Sequence, residues 1–254
     1  MRSACVVLLL LAVCLVSGCE NPLEINRDTE IEIGREGGSQ LEQRYGVVND
    51  PAGQRRLDAI GKRAAAASGE PSFPWTFRIL DASEVNALAL PGGLIYVTRG
   101  MMEYAANDDQ LAGVIAHEVV HVDHHHAKIA IERAITQALL VELATRRSSD
   151  SIRQAAGIAL DLGMREGYRE KEYEADRFGT LYAFRAGYRA DGLRQLLSYL
   201  HEREGDPARI TWLLQSHPPL SRRIQRLDEF IPEVTGGPRL PREAVLGAPK
   251  ASTP

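Results

Sequence analysis

His117-Glu118-Val119-Val120-His121 places two imidazoles four residues apart, with a carboxylate next to the first. On an α-helix, residues i and i+4 share a face, so both rings can aim a nitrogen at one ion about 2.0–2.1 Å away. Glu118 is rotated off that face, where its carboxylate can reach a water beside such an ion and take its proton. This is the chemistry of a zinc hydrolase centre. The same five-residue pattern also occurs on ordinary solvated helices, and two ligands do not make a site.

A third ligand is offered by Glu172-Tyr173-Glu174-Ala175-Asp176. Glu172 and Asp176 fall on one helical face. The first can bind the ion, while the second can accept the N–H of a metal-bound histidine, assigned here as His117, and so fix its tautomer. The competing reading is an acidic solvated helix, because Glu170, Glu172 and Glu174 alternate with other polar residues in a way that suits i,i+4 pairing.

Both groups need helices to position them. Asn107 with Gln110 three residues later is a capping signal, and no breaker follows from Leu111 to Ala116. The run from Arg169 to Phe178 reads as a second helix. Upstream, helices are expected over Asp28 to Tyr45 and Ala52 to Ala67. A break at Ser68-Gly69-Glu70-Pro71-Ser72 leads into strands around Thr76 to Leu80 and Ala87 to Thr98, after which the chain is mainly helical. The fold class is therefore α+β, predominantly helical, with a small sheet.

An exposed sheet edge can hold an extended chain by main-chain hydrogen bonds. Leu94 to Thr98, or the neighbouring Asn86 to Leu90, is expected to supply that edge, with Asn86, Ala87 and Leu88 as substrate-binding residues; a core strand would have the same composition. The connection from Ala127 to Tyr168 is too long for a turn. Its apolar stretch Ile129 to Ala144 reads as a core helix or a lid, with Ser148 to Ser151 as a hinge or a solvated loop. Charges at Glu132, Arg133 and Glu142 argue against a membrane span. His124-His125-His126 point in different directions if helical and are expected as a partly exposed polar turn, with a weak second metal site as the alternative. Met101, Met102 and Trp75 read as packing residues.

The order H-E-x-x-H, then E-x-x-A-D at Glu172 to Asp176, then Ser216-His217-Pro218-Pro219-Leu220 resembles the M48 family of zinc metallopeptidases. Asn86 to Gly100 resembles the family's strand segment before the metal helix. Gly34-Arg35-Glu36, Tyr45-Gly46-Val47-Val48 and Asp50-Pro51 resemble its N-terminal helices. The resemblance runs from about Asp28 to Glu233 and implies a zincin-type domain. It also implies one zinc ion per chain held by His117, His121 and Glu172, with Glu118 as general base. His217 is then the candidate oxyanion donor, or a ligand closing the ion's open position in a latent state; otherwise it is a helix-entry residue before two prolines. Arg223 matches a basic position of the family that orders this segment, or is a solvated arginine beside Arg222 and Arg226. No 34-residue period is visible, so the tetratricopeptide extension of some relatives is not expected.

At the other end, Arg2, an apolar run from Ala4 to Val16, and Leu15-Val16-Ser17-Gly18-Cys19 read as a secretory signal ending in a lipoprotein box. Cleavage before Cys19 would leave its sulfur to carry a diacylglycerol, and two or more chains anchor stably. The apolar run is shorter than the about 20 residues of a spanning helix. Glu20 after the cysteine favours the outer over the inner membrane. The expected organisation is residues 1–18 signal, 19–27 tether, 28–234 peptidase domain and 235–254 flexible tail. Cys5, Cys14 and Cys19 are the only cysteines, so no disulfide is expected in the mature chain and stability must come from the core. A net charge of −4 and the lack of a basic stretch with interleaved aromatics give no reason to expect nucleic acid.

The sequence thus reads as a lipid-anchored, periplasm-facing zinc endopeptidase acting on misfolded or unassembled envelope proteins. The alternative is a chaperone-like assembly factor with a latent, closed zinc site; an intact Glu118 favours the enzyme. A purely structural zinc would be closed by four ligands, often cysteines, which the mature chain lacks.

Overall fold

The computed structural model describes residues 24–145, 168–202 and 219–236, with side chains described from 24 to 136, 169 to 202 and 219 to 236. The expected signal, Cys19, the Ser148 to Ser151 hinge, His217 and the tail beyond residue 236 lie outside them.

The first helices start where their caps dictate. Helix α1 (Arg27–Tyr45) opens on Asn26, whose side chain accepts from the Thr29 N–H. Helix α2 (Pro51–Ala66) opens on Asp50, with Pro51 in the first turn where its missing N–H costs nothing. Strands β1 (Thr76–Leu80), β2 (Ala87–Leu90) and β3 (Leu94–Thr98) follow, then the short α3 (Arg99–Tyr104). Helix α4 (Asp108–Asp123) carries the H-E-x-x-H residues. It is capped by Asn107, whose carboxamide oxygen accepts the Gln110 N–H at 3.0 Å. Helices α5 (His126–Thr145), α6 (Tyr168–Arg185), α7 (Gly192–Glu202) and α8 (Leu220–Thr235) complete the described chain.

The sheet has the order β1-β3-β2. β3 lies in the middle, parallel to β1 with Thr76 opposite Leu94, and antiparallel to β2 with Ala87 opposite Val97. Gly92 and Gly93 make the β2–β3 turn at φ 77° and 98°, the left-handed region glycine enters without a Cβ clash. Leu94 to Thr98 is therefore an interior strand and not the edge; of the two candidates, only Ala87–Leu90 is an edge strand. Asn86 is tied to β3, its carbonyl accepting the Thr98 N–H at 3.0 Å. By the alternation of an antiparallel ladder, Asn86 and Leu88 turn their main-chain groups towards β3, whereas Ala87 and Ala89 turn theirs outward.

Helix α4 is the centre of the protein. Every residue from Gln110 to Val122 is buried, so this stretch has no solvent-exposed face, as expected of a helix enclosed on all sides. Helices α2, α6 and α7 and strand β2 pack around it. Two glycines set how closely. A Cβ on Gly179 of α6 would stand 2.8 Å from the His117 backbone, and one on Gly113 of α4 would stand 2.5 Å from Leu193 N of α7. Glu172, Asp176 and Gly179 lie on one stripe of α6 at i, i+4 and i+7. The Gly179 contact therefore presses both carboxylates against the histidine face of α4. Among the described residues, no helix is long and apolar enough to cross a membrane.

Candidate metal centre

His117, Glu118 and His121 come from one uninterrupted stretch of α4, and Glu172 and Asp176 from the adjacent stripe of α6. All five are buried. His117 Nε2 lies 3.2 Å from His121 Nε2 and 3.4 Å from Glu172 Oε2, and His121 Nε2 lies 3.3 Å from Glu172 Oε1. Three donor atoms from two helices thus converge on one point, and together they could hold a metal ion.

Behind this triad is a set of contacts that hold the rings. His117 Nδ1 is 3.1 Å from Asp176 Oδ1. Asp176 is gripped in turn by Arg223 of α8, which donates through Nε to Oδ2 at 2.8 Å and through Nη2 to Oδ1 at 2.6 Å, the two-point fork guanidinium makes with carboxylates. Arg223 Nη1 also lies 3.8 Å from Glu172 Oε2. Arg223 is only 2% exposed, so the reading of a solvated arginine is overturned. A sequence signal for this exists: Leu220, Ile224, Leu227 and Ile231 form the apolar stripe of α8, and Arg223 falls within it. A charge on such a stripe is buried and has to be paired.

The electrostatics call for a cation. Among the described residues, the carboxylates of Glu118, Glu172 and Asp176 are buried around one guanidinium and all raise its pKa despite the opposing cost of burial. Burial lowers the pKa of His117, but hydrogen bonds to Asp176 and Glu172 outweigh it and raise it to about 9. Burial raises that of Asp176, yet Arg223 and His117 together hold it below the ordinary carboxylate range. Buried carboxylates and imidazole nitrogens gathered at one point are a setting suited to a cation.

His124, His125 and His126 depart from expectation. The helix stops at His124, and His125 takes a φ of 52°, which folds the chain back before α5 begins. His126 is thereby buried against the centre, with its Nδ1 3.0 Å from His121 Nδ1. Burial, followed by the charge of neighbouring His121, Lys171 and His124, pushes its pKa down to about 2. His125 instead meets the buried Glu30 of α1 at 3.0 Å. The partly exposed turn holds for His124 and His125 but not for His126. The turn is produced by a single left-handed residue, His125, which helical periodicity does not mark.

Glu118 lines a cavity of about 20 Å³ together with Ala87 of β2, His117, Leu193 and Arg223. This is room for about one water. The edge strand and the carboxylate thus border the same space. His217, outside the described residues, precedes Pro218 and the N-cap residue Pro219 of α8.

Residues 51–231 match peptidase family M48. The chain is 27% identical over 242 residues to the putative beta-barrel assembly-enhancing protease of Vibrio cholerae, covering 85% of this chain and 50% of that protein. It is 30% identical over 216 residues to the mitochondrial metalloendopeptidase OMA1 of Schizosaccharomyces pombe, covering 83% and 63% respectively. With the metalloprotease YcaL of Escherichia coli it shares 29% identity over 181 residues, 70% of this chain and 69% of that one. The chain thus spans between half and two thirds of the first two relatives. With a match running from the first residue of α2 to within four residues of the end of α8, around a buried His-His-Glu centre on two packed helices, the chain belongs to peptidase family M48.

Proposed function

We propose that this chain is a zinc-dependent endopeptidase whose one zinc ion is held by His117, His121 and Glu172. The observation that carries this reading is the mutual spacing of their donor atoms, 3.2, 3.3 and 3.4 Å. Ligands 2.0–2.1 Å from a tetrahedral ion stand about 3.3 Å apart, and two imidazoles with one carboxylate are a common donor set of catalytic zinc. When bound, the ion supplies Lewis acidity to the substrate carbonyl and lowers the pKa of water from 15.7 towards about 7.

The chain's own residues do the rest. Glu118 accepts the attacking water's proton and passes it to the leaving amine, in the small cavity it lines with Ala87 of β2. Asp176 accepts the His117 Nδ1–H and, held by Arg223, keeps the other nitrogen aimed at the ion. The outward main-chain groups of Ala87 and Ala89 pair with an extended substrate, adding a strand beside β2. His217 supplies the further oxyanion donor.

A lipid anchor at Cys19 holds the protein facing the periplasm, with the outer membrane favoured, a reading supported by the lipoprotein box Leu15 to Cys19 and by Glu20. Its substrates are unfolded or misassembled envelope proteins. The name of the Vibrio cholerae relative, a putative beta-barrel assembly-enhancing protease, supports the envelope assignment.

The test of the activity is cleavage of casein by the purified protein, with zinc content measured alongside. Wild type is expected to carry one zinc and cleave, and Glu172→Ala to lose both. Zinc bound without cleavage would sink the endopeptidase reading, and zinc retained by Glu172→Ala would sink the ligand assignment. For the anchor, Cys19→Ala is expected to move the protein from the membrane to the soluble fraction after cell fractionation, with its activity unchanged. Persistent membrane attachment would refute the lipid anchor.

A further inference from the structure

We propose that His126 and Glu174 form a positioning relay that fixes the tautomer and orientation of His121 and closes the neighbouring histidine cluster to a second ion. The proposal rests on His117, His121 and Glu172 being the metal ligands. His121 turns Nε2 towards the other two donors and Nδ1 towards His126 Nδ1, 3.0 Å away. An imidazole that gives its Nε2 lone pair to an ion carries its proton on Nδ1. His121 therefore donates, and His126 Nδ1 accepts. A neutral His126 accepting at Nδ1 carries its own proton on Nε2, and that nitrogen faces Glu174 Oε2 at 3.3 Å. The other carboxylate oxygen, Oε1, accepts from His124 Nδ1 at 2.9 Å. One condition, an ion at His121 Nε2, thus assigns every proton along the chain from His121 to Glu174.

The two ligand histidines are then backed from different directions. His117 is held by Asp176 and Arg223, while His121 is held by His126 and Glu174. His126 reaches its place only because His125 adopts a left-handed conformation that ends α4 and folds the chain back over it.

The same atoms resemble a metal site in their own right, since the donors of His124, His126 and Glu174 lie within 4.8 Å of one another. Binding there would need the lone pair of His126 Nε2, which is where the relay places a proton. An ion at the first site therefore disfavours one at the second, and the chain holds one ion.

The test is zinc affinity of the full chain, measured by competition with a chromophoric chelator, together with zinc stoichiometry and the visible spectrum of the cobalt-substituted protein. His126→Leu is expected to weaken zinc binding by about 10- to 100-fold and alter the cobalt spectrum. His126→Asn, whose amide oxygen can reach the place of Nδ1 and accept, is expected to recover most of the loss. Glu174 is partly exposed, so Glu174→Ala tests the relay without disturbing the core even if His126→Leu fails to fold; a several-fold weakening is expected. A role in packing alone would lower the unfolding temperature of the metal-free protein and leave zinc affinity unchanged. Affinities of both His126→Asn and Glu174→Ala within about twofold of wild type, with no rescue hierarchy against His126→Leu, would overturn the relay. So would two ions per wild-type chain with one lost in Glu174→Ala. Glu172→Ala separates the two readings: if it binds zinc like wild type, the metal centre itself is wrong, whereas if it loses zinc while the His126 and Glu174 variants do not, only the relay fails.

Discussion

Glu118→Gln is expected to bind zinc like the wild type and to lose about 10²- to 10⁴-fold in kcat for casein or peptide cleavage, the usual contribution of a positioned general base. Gln fills the same volume and keeps a hydrogen-bonding oxygen, so the lining of the small cavity it shares with Ala87, Leu193 and Arg223 is expected to keep its shape. What is lost is the capacity to take a proton. Glu118 is not one of the three convergent donors, so the 3.2–3.4 Å spacing of His117, His121 and Glu172 is expected to survive the loss of its charge. Measuring kcat and metal content on the same preparation checks the prediction. Full activity in Glu118→Gln would show that another group moves the proton, and loss of the metal would show that Glu118 belongs to the ligand set.

The second large effect is expected at Arg223. Arg223→Ala removes the one guanidinium that, among the described residues, is buried with Glu118, Glu172 and Asp176, stripping Asp176 and Glu172 of its countercharge. Breaking a buried pair from one side costs about 3–5 kcal/mol because the remaining charge is stranded in a poorly solvated place. Denaturant unfolding of the metal-free protein is expected to show a loss of that size. Zinc is expected to recover part of it, since the ion brings positive charge back to the same carboxylates. Arg223→Lys should recover little, because an ammonium cannot donate to both oxygens of Asp176 in the planar fork that the 2.8 and 2.6 Å bonds describe. Unfolding of Arg223→Ala within about 1 kcal/mol of wild type would mean that Asp176 is protonated or solvated, contrary to the buried ion pair described here.

The parts of this protein that were legible in its sequence are those set by local geometry. His117 and His121 share a face because the helical period puts i and i+4 together, and Glu172 and Asp176 share one for the same reason. The Asn107 cap, the strands at Thr76–Leu80 and Ala87–Leu90, and the helices described after them are also local: they need only a side chain and its neighbours within a few residues. The pairing of the H-E-x-x-H and E-x-x-A-D segments was readable through family resemblance, which carries long-range information that no periodicity supplies.

What lies behind the ligands was decided by tertiary structure. Arg223 is 47 residues from the Asp176 it grips and 106 from His117. Its burial follows from how α8 lies on α6, and the apolar stripe around it marks the burial but not the partner. The choice between β2 and β3 as the edge depended on β1 joining β3 on its far side, a pairing that strand composition does not encode. His126 reaches His121 through one left-handed residue, a backbone state too small to leave a pattern in the sequence. Sequence by itself determined which side chains sit on each helix face and hence the donor set. Tertiary packing, down to the contact of Gly179 with the His117 backbone, determined which charges and rings hold those donors, because that depends on distances between segments far apart in the chain.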